Sequence, residues 1–182
     1  MKRIFLFLTV CAIISCNNEK AVDSGTAANA QVPADMHGFT ANYSMSFVMD
    51  SAKNTETVLS LWKAWQAGDL SKARPYFADS VTFFMSDGTN MFGPTDTLMQ
   101  GMQAYRSSFK EMKATVDAAF AVRSTDKNEN WVAIWGSEIR TDMNGKVDTI
   151  SQVENWRFNK DGKVNLMFQA ERKGMIPPPS GK

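Results

Sequence analysis

The feature that most constrains the fold is a long alternation of apolar and polar residues in the last third of the chain. The alternation runs from Thr115 to Ser124 and resumes after polar turns as far as Glu171. This period of two is typical of strands with one buried face. Asn144-Gly145 is the strongest hairpin signal, because a type I′ turn needs positive φ at both positions. The pattern predicts a meander of four strands at 115–124, 131–141, 147–158 and 164–171.

Helical patterns come before this meander. Between about Asn54 and Gly68, apolar residues recur at the i, i+3, i+4 and i+7 spacing of one helix face. Asp69 can cap a shorter second helix that Pro75 bends, and Thr95 can cap a third. Helices grouped before an antiparallel sheet predict an α+β domain. Two more strands are predicted, at 80–86 and, as an edge strand, at 43–49.

The N-terminus carries the pattern of an export signal. A short basic start is followed by an apolar run from Ile4 to Ile14, which is too short to span a bilayer as a mature helix. The run ends in Ile13-Ile14-Ser15-Cys16, which resembles the lipobox of bacterial lipoproteins. The resemblance implies cleavage after Ser15, lipidation of Cys16 and a lipid-anchored protein of the bacterial cell envelope. A plain signal peptide with an incidental cysteine is the alternative.

These patterns divide the chain into four parts. Residues 1–15 form the signal peptide, and residues 16–35 form the lipidated cysteine and a polar stalk that has no apolar period. Residues 36–173 form the folded domain. Residues 174–182 contain three consecutive prolines and are expected to be a disordered tail.

Composition excludes several classes of function. Lys plus Arg total 20 against 19 for Asp plus Glu, so the chain has no basic field for nucleic acid. The single histidine is His37, beside the stalk, and the cysteines are Cys11 and Cys16. The chain therefore lacks the ligands of a structural zinc site, and no histidine lies within the predicted helices and strands to activate a nucleophile. We expect no metal, no cofactor and no nucleic-acid partner.

Three segments are similar to the nuclear transport factor 2-like superfamily, in particular its SnoaL-like branch and the ketosteroid isomerases. The resemblance covers about residues 54–172 and implies a cone, in which a strongly curved antiparallel sheet wraps around the helices and leaves a pocket between them. This fold hosts isomerases, cyclases, hydrolases, dehydratases, ligand binders and partner-binding modules, so it indicates function only weakly. The segments are Trp65-Gln66-Ala67-Gly68-Asp69-Leu70, Phe77-Ala78-Asp79-Ser80-Val81-Thr82 and Trp156-Arg157-Phe158-Asn159-Lys160-Asp161-Gly162-Lys163-Val164.

The resemblance allows the isomerase residues to be compared position by position. Leu61 stands where the family has an oxyanion-stabilising tyrosine, and Met85 stands where it has the carboxylate base. Glu154 stands at the position of a buried carboxylic acid and is the one candidate catalytic residue. In an aromatic pocket its pKa would be raised, so it could donate a hydrogen bond to a ligand or act as a general acid. Alternatively, Glu154 faces solvent at a strand end or pairs with Arg140, Arg157 or Arg106.

Strand register predicts which residues lie beside Glu154. A two-residue Asn144-Gly145 loop would place Glu154 opposite Trp135. In the last hairpin a four-residue loop would pair Glu154 with Met167 and point Asn165, Met167 and Gln169 into the cone, with Val164 outside. A three-residue loop would exchange the two sets, and the resemblance favours the first register. That register leaves an apolar outer face that a homodimer could bury, formed by Val132, Ile134, Val153, Leu166 and Phe168.

The predicted ligand-binding residues are aromatic, methionine or polar side chains expected to face the cone, although apolar side chains of this kind are more often ordinary core than part of a ligand site. Three functions are open: a membrane-anchored domain that binds a small, largely apolar molecule, a SnoaL-like enzyme that uses Glu154 as acid or base, or an interaction module that uses the outer sheet face. The predicted residues are Leu61, Phe83, Met85, Tyr105, Trp135, Gln152, Trp156, Met167 and Gln169.

Overall fold

The computed structural model describes residues 35–174. The predicted signal peptide, Cys16, nearly all of the stalk and the tail from residue 175 lie outside the described residues, so the predictions for them stay predictions. Among the helices of the described part, none is long and apolar enough to cross a membrane.

Residues 35–174 form an α+β domain, as the sequence predicts. Its helices are α1 (Ala52–Ala67) and α2 (Thr95–Arg106). In place of the helix predicted after Asp69, the chain makes two three-residue 3-10 turns around Pro75, which cannot donate a helical hydrogen bond. The strands are β1 (Phe47–Met49), β2 (Phe77–Phe84), β3 (Asn90–Pro94), β4 (Phe109–Ser124), β5 (Glu129–Asp142), β6 (Val147–Phe158) and β7 (Val164–Lys173).

The strands form one curved sheet in the order β1-β4-β5-β6-β7-β2-β3. The meander β4 to β7 is antiparallel, as predicted, but β7 pairs in parallel with β2, so the expectation of a wholly antiparallel sheet is wrong at this pair. Strand β3, which the sequence analysis did not predict, pairs with β2 through the Asp87-Gly88 turn. The pairing of β2 with β7 brings the two halves of the chain together in one sheet.

Helix α1 lies against the concave face of the sheet. The Ser51 side chain accepts a hydrogen bond from the backbone nitrogen of Lys53 at its start, and Gly68 ends it in the left-handed conformation with φ 79°. Arg106, at the end of α2, donates to the backbone carbonyls of Trp65 at 2.6 Å and Gln66 at 2.8 Å. A buried arginine thus satisfies carbonyls at the C-terminus of α1 and fixes that helix above the sheet.

The hairpin between β5 and β6 has a three-residue loop rather than the predicted two-residue loop. The Asp142 backbone nitrogen donates to the Lys146 carbonyl at 2.9 Å, and the Asp142 carboxylate accepts from the backbone nitrogens of Asn144 and Lys146. Gly145 takes the positive φ of 83° that closes this loop. The side chain of Asp142 therefore selects a longer turn than the Asn-Gly pair alone would form.

This extra residue moves the strand register by one and reverses the faces of β5. Glu154 lies opposite Ile134, not Trp135. The Trp135 side chain points to the outer face, where it is 39% exposed, so the prediction that it faces the cone is wrong. Val132 and Ile134, predicted on the outer face, are fully buried in the core for the same reason.

The register of the last hairpin, between β6 and β7, also differs from the prediction. The loop has three residues instead of the favoured four, because the Asn159 backbone nitrogen donates to the Lys163 carbonyl at 2.8 Å. The register then shifts by one more residue between Arg157 and Phe158, so that Glu154 pairs with Gln169 instead of Met167. This offset of two residues keeps Met167 and Gln169 on the concave face as predicted. Between the turn and the bulge, the residues of β7 lie on the opposite face from the predicted one, so Val164 is fully buried rather than outside.

The outer face of the sheet carries exposed apolar side chains. Val153 and Phe168 lie there as predicted, at 45% and 42% exposure, and Phe168 stacks on Phe84 with ring centroids 4.6 Å apart. Trp135 and Ile139 add to this surface. Burial of this face in a homodimer stays a prediction.

Gly136 in β5 lies close to the backbone of β4. A Cβ atom at Gly136 would lie 2.0 Å from the Thr115 carbonyl oxygen, beside the register shift in β4. We expect Gly136→Ala to lower the free energy of unfolding by about 3 kcal/mol through steric overlap with backbone, measured by urea denaturation. Gly101→Ala in α2 is the matched control, because a Cβ there meets nothing within 4 Å. Equal stability of the two variants would contradict this account.

Candidate functional site

A cavity of about 470 Å³ lies between the two helices and the concave face of the sheet. This volume is typical of sites for small organic molecules. Most of its walls are apolar, and three tryptophans contribute to them, Trp62 and Trp65 from α1 and Trp156 from β6. Eight of the nine predicted ligand-binding residues line it together with Glu154: Leu61, Phe83, Met85, Tyr105, Gln152, Trp156, Met167 and Gln169.

The Glu154 carboxylate is buried in the cavity wall and is held by three neutral donors. Its Oε2 atom accepts from the indole nitrogens of Trp62 at 2.7 Å and Trp156 at 3.0 Å. Its Oε1 atom accepts from the Gln169 amide nitrogen at 3.0 Å. A carboxylate offers about four lone-pair positions, two on each oxygen. Both positions on Oε2 are therefore occupied, and Oε1 keeps one position for a proton or for a ligand donor.

The arginines that were candidate partners of Glu154 have other partners. Arg140 pairs with Glu138 and Glu171, and Arg106 donates to backbone carbonyls. Arg157 lies on the outer face, where it pairs with Glu129 at 3.7 Å. Within residues 35–174, no ion pair involving Glu154 is found, so its negative charge would be uncompensated by a cation.

Burial raises the pKa of Glu154 from its ordinary 4.5 to about 7. The side chain is only 5% exposed, and the cost of placing a charge there is the largest cause of the rise. The donors Trp62, Gln169 and Trp156 oppose it by stabilising the charged form, whereas the negative charge of Glu138 adds to it. Near neutral pH, Glu154 therefore exchanges between a hydrogen-bond acceptor and a hydrogen-bond donor.

A buried ion-pair chain forms the polar end of the cavity. Arg140 donates from Nε to Glu138 Oε2 at 2.8 Å and from an Nη atom to Glu171 at 2.9 Å. Glu138 Oε1 accepts from the Gln152 amide nitrogen at 3.2 Å, which leaves Gln152 Oε1 buried without a hydrogen-bond partner. The charge of Glu138 sets this orientation, because a flipped amide would place oxygen against carboxylate. The end of the cavity is therefore rich in acceptors.

The sequence analysis did not predict four of the residues that form the site. Trp62 belongs to the apolar stripe that predicts α1, Glu138 was not considered, and Glu171 was given only as the end of the last predicted strand. Arg140 was considered only as a partner of Glu154. The available signal was the spacing of Glu138 and Arg140 in one strand, since charged residues two apart share a face.

A comparison of stability at several pH values tests the state of Glu154. The folded protein holds the Glu154 proton more tightly than the unfolded chain, so this contribution to stability is complete below about pH 4.5 and is lost as pH rises through about 7. Glu154→Gln removes it because an amide does not titrate. Between about pH 8 and pH 4.5, wild type should gain roughly 3 kcal/mol relative to the variant in urea unfolding. Parallel pH profiles for the two proteins would contradict the buried, uncompensated carboxylate.

The arrangement of sheet, helices and cavity is the nuclear transport factor 2-like cone, and the sequence identifies the family within it. The profile of the SnoaL-like domain matches residues 58–167. The chain therefore belongs to the SnoaL-like domain family. None of the curated proteins matches the sequence at a significant level.

Solved structures of the same fold include proteins described as enzymes. A putative SnoaL-like polyketide cyclase from Shewanella denitrificans is 14% identical with a TM-score of 0.56, over 67% of this chain and 92% of that one. AclR, a putative hydroxylase from Streptomyces galilaeus, is 18% identical with a TM-score of 0.54, over 71% and 79%. AusH from Aspergillus nidulans is 16% identical with a TM-score of 0.55, over 70% and 88%. At these identities the likeness establishes the fold alone.

Proposed function

We propose that this protein binds a small, largely apolar molecule in the cone cavity and orients it through Glu154. The observation that carries the proposal is the open lone-pair position on Glu154 Oε1, at the wall of an apolar cavity of about 470 Å³. The apolar walls supply affinity by removing ligand surface from water. The fixed carboxyl group supplies orientation, because Trp62, Trp156 and Gln169 hold it in one position.

Tryptophan fluorescence provides a test, because the five tryptophans divide between two surfaces. Trp62, Trp65 and Trp156 line the cavity, whereas Trp131 and Trp135 lie outside it. Titration with non-indole apolar compounds such as sterols, fatty acids and naphthalene derivatives should change the emission, with dissociation constants in about the micromolar range.

The matched control separates the cavity from the outer face. The double variant Trp131→Phe, Trp135→Phe should keep the full fluorescence response, since it leaves the cavity unchanged. Loss of the response in this variant would assign binding to the outer sheet face and contradict the proposal. Absence of any response and of any thermal shift across the series would contradict ligand binding altogether.

A SnoaL-like enzyme that uses Glu154 as acid or base is the second candidate. The specific observation in its favour is the pKa of about 7 at Glu154, which suits proton transfer in either direction near neutral pH. The descriptions of similar structures as a putative cyclase and a putative hydroxylase are in line with chemistry in such a cavity. Conversion of a bound compound by wild type, detected by mass spectrometry and abolished by Glu154→Gln with binding retained, would favour this candidate.

We also propose that Cys16 carries a lipid that anchors the protein to a membrane of the bacterial cell envelope. The support is the Ile13-Ile14-Ser15-Cys16 motif at the end of the apolar run. Each acyl CH₂ buried in the bilayer contributes about 0.8 kcal/mol, so two or three chains give stable attachment.

Matched cysteine variants test the anchor in a bacterial host. Cys16→Ser should abolish incorporation of labelled palmitate, because the acceptor thiol is lost, and should move the protein out of the detergent phase of a Triton X-114 partition. Cys11→Ser should leave both properties unchanged, since Cys11 lies within the predicted signal peptide. Lipid labelling that survives in Cys16→Ser would contradict the assignment.

A further inference from the structure

We infer that the ligand of the cavity is an organic cation, a protonated amine carried on an apolar body. The inference rests on the proposed binding function and names the chemical class that the cavity selects. Three features of the site carry it: an excess of negative groups, a carboxylate with an open acceptor position, and walls rich in tryptophan.

The first feature is the charge of the cavity and its mouth. A second, more polar pocket of about 350 Å³, here called the mouth, adjoins the cavity and shares Arg140, Glu171 and Tyr105 with it. Five acidic residues line the two together, against the two bases Arg140 and Lys173, and no histidine lies among them. The acidic residues are Asp87, Glu138, Asp148, Glu154 and Glu171.

The one base of the inner cavity is already engaged. Arg140 places one nitrogen on Glu138 and another on Glu171, at 2.8 and 2.9 Å. A ligand carboxylate or phosphate would thus meet Glu138 and Glu154 without a free cation to offset the repulsion. The cavity therefore disfavours anions, although its walls would accept their apolar parts.

The second feature is the acceptor excess around Glu154. The Oε1 atom of Glu154 has one open position, and Gln152 Oε1 is a buried acceptor without a donor, two residues away on the same face of β6. A buried carboxylate without a cation is costly, and a ligand that brings a positive charge to it recovers that cost on binding. An alcohol supplies a hydrogen bond to the same oxygen but leaves the charge uncompensated.

The third feature is the aromatic wall. Trp62, Trp65 and Trp156 surround the cavity, and Trp65 stacks on Tyr105 toward the mouth with ring centroids 6.2 Å apart. Ring faces attract a cation within about 6 Å through their quadrupole, and tryptophan is the strongest of the side chains in this respect. The same walls accommodate the apolar body of the ligand, so charge and shape select one class of molecule.

Three probes with the same ring and different polar groups test the inference: tryptamine, tryptophol and indole-3-acetate. Isothermal titration calorimetry at about pH 8.5 keeps the alkylamine protonated, since such amines have pKa values of about 10. We expect tryptamine to bind at least about tenfold more tightly than tryptophol, and indole-3-acetate to bind more weakly than both.

Two variants distinguish direct pairing of the tryptamine ammonium group with Glu154 from attraction by the negative charges of the protein as a whole. Glu154→Gln should remove most of the tenfold advantage of tryptamine and change the affinity for tryptophol by less than about threefold, because only the cation loses its partner. Asp117→Asn removes the same charge from an exposed position on β4 that lines neither pocket, and should change tryptamine binding by less than about threefold.

Wild type alone provides the test if Glu154→Gln does not fold. The charged groups around the polar end of the cavity are Glu138 and Arg140 on β5, Glu171 on β7 and Arg106 on α2, while Trp62 on α1 is uncharged. Burial raises the pKa of Glu154 to about 7, so lowering the pH from 8.5 to about 5.5 should weaken tryptamine binding several-fold and leave tryptophol binding unchanged.

The outcomes distinguish this inference from the proposed function. If tryptophol or indole-3-acetate binds as tightly as tryptamine, or if neutral apolar compounds bind and tryptamine does not, the inference is overturned and apolar ligand binding stands. If neither the three indole probes nor the apolar series binds, both fail. A tryptamine advantage that persists in Glu154→Gln also overturns the inference, because the charge would then pair elsewhere.

Discussion

The hydrogen bond from the Trp62 indole to the Glu154 carboxylate joins helix α1 to the centre of the sheet. The Trp62 indole nitrogen lies 2.7 Å from Glu154 Oε2, and Trp156 and Gln169 are the other two donors to the same carboxylate. The carboxylate cannot move toward solvent without leaving three polar groups unpaired in an apolar region. The position of the helix over the sheet, and with it the open cavity, therefore depends on a polar contact as well as on apolar packing.

Most of the fold can be predicted from local sequence patterns, but these patterns do not determine which strand residues face the core. The meander, α1, α2 and the cone are predicted from periodicity, caps and family resemblance. The one-residue error at the β5–β6 turn arises because the Asp142 side chain caps a three-residue loop, an interaction that a dipeptide turn rule does not contain. Because of that error alone, the sequence analysis placed Trp135 in the predicted site and Ile134 outside the core. The parallel pairing of β2 with β7 joins residues about 85 positions apart, beyond the range of any local signal.

Only part of the site could be predicted, because the prediction depends on strand faces and on contacts between distant elements. Glu154 and eight of the expected lining residues face the cavity, because family resemblance fixed the face of β6, and the shorter loop and the bulge in β7 together shifted the register by two residues. Trp156 lies two residues from Glu154 on the same strand, but Trp62 and Gln169 come from two other elements, so no spacing in the sequence indicates these two partners. The Glu138–Arg140–Glu171 chain likewise depends on how β5 and β7 flank β6. Buried charge of this kind lowers stability and is typical of sites where function sets the chemistry.

The parallel contact between β2 and β7 bears on how the chain reaches this structure. Strand β2 ends at Phe84, and its partner begins at Val164, so the wall that they form together cannot assemble until nearly the whole domain has been synthesised. Contacts between distant segments are slow to form because the loop between them must first be closed. A ribosome-bound chain would expose the apolar stripe of α1 and the concave sides of the strands until the last strand arrives. The hollow interior of this protein thus forms late in folding, and the apolar surface exposed before then favours aggregation.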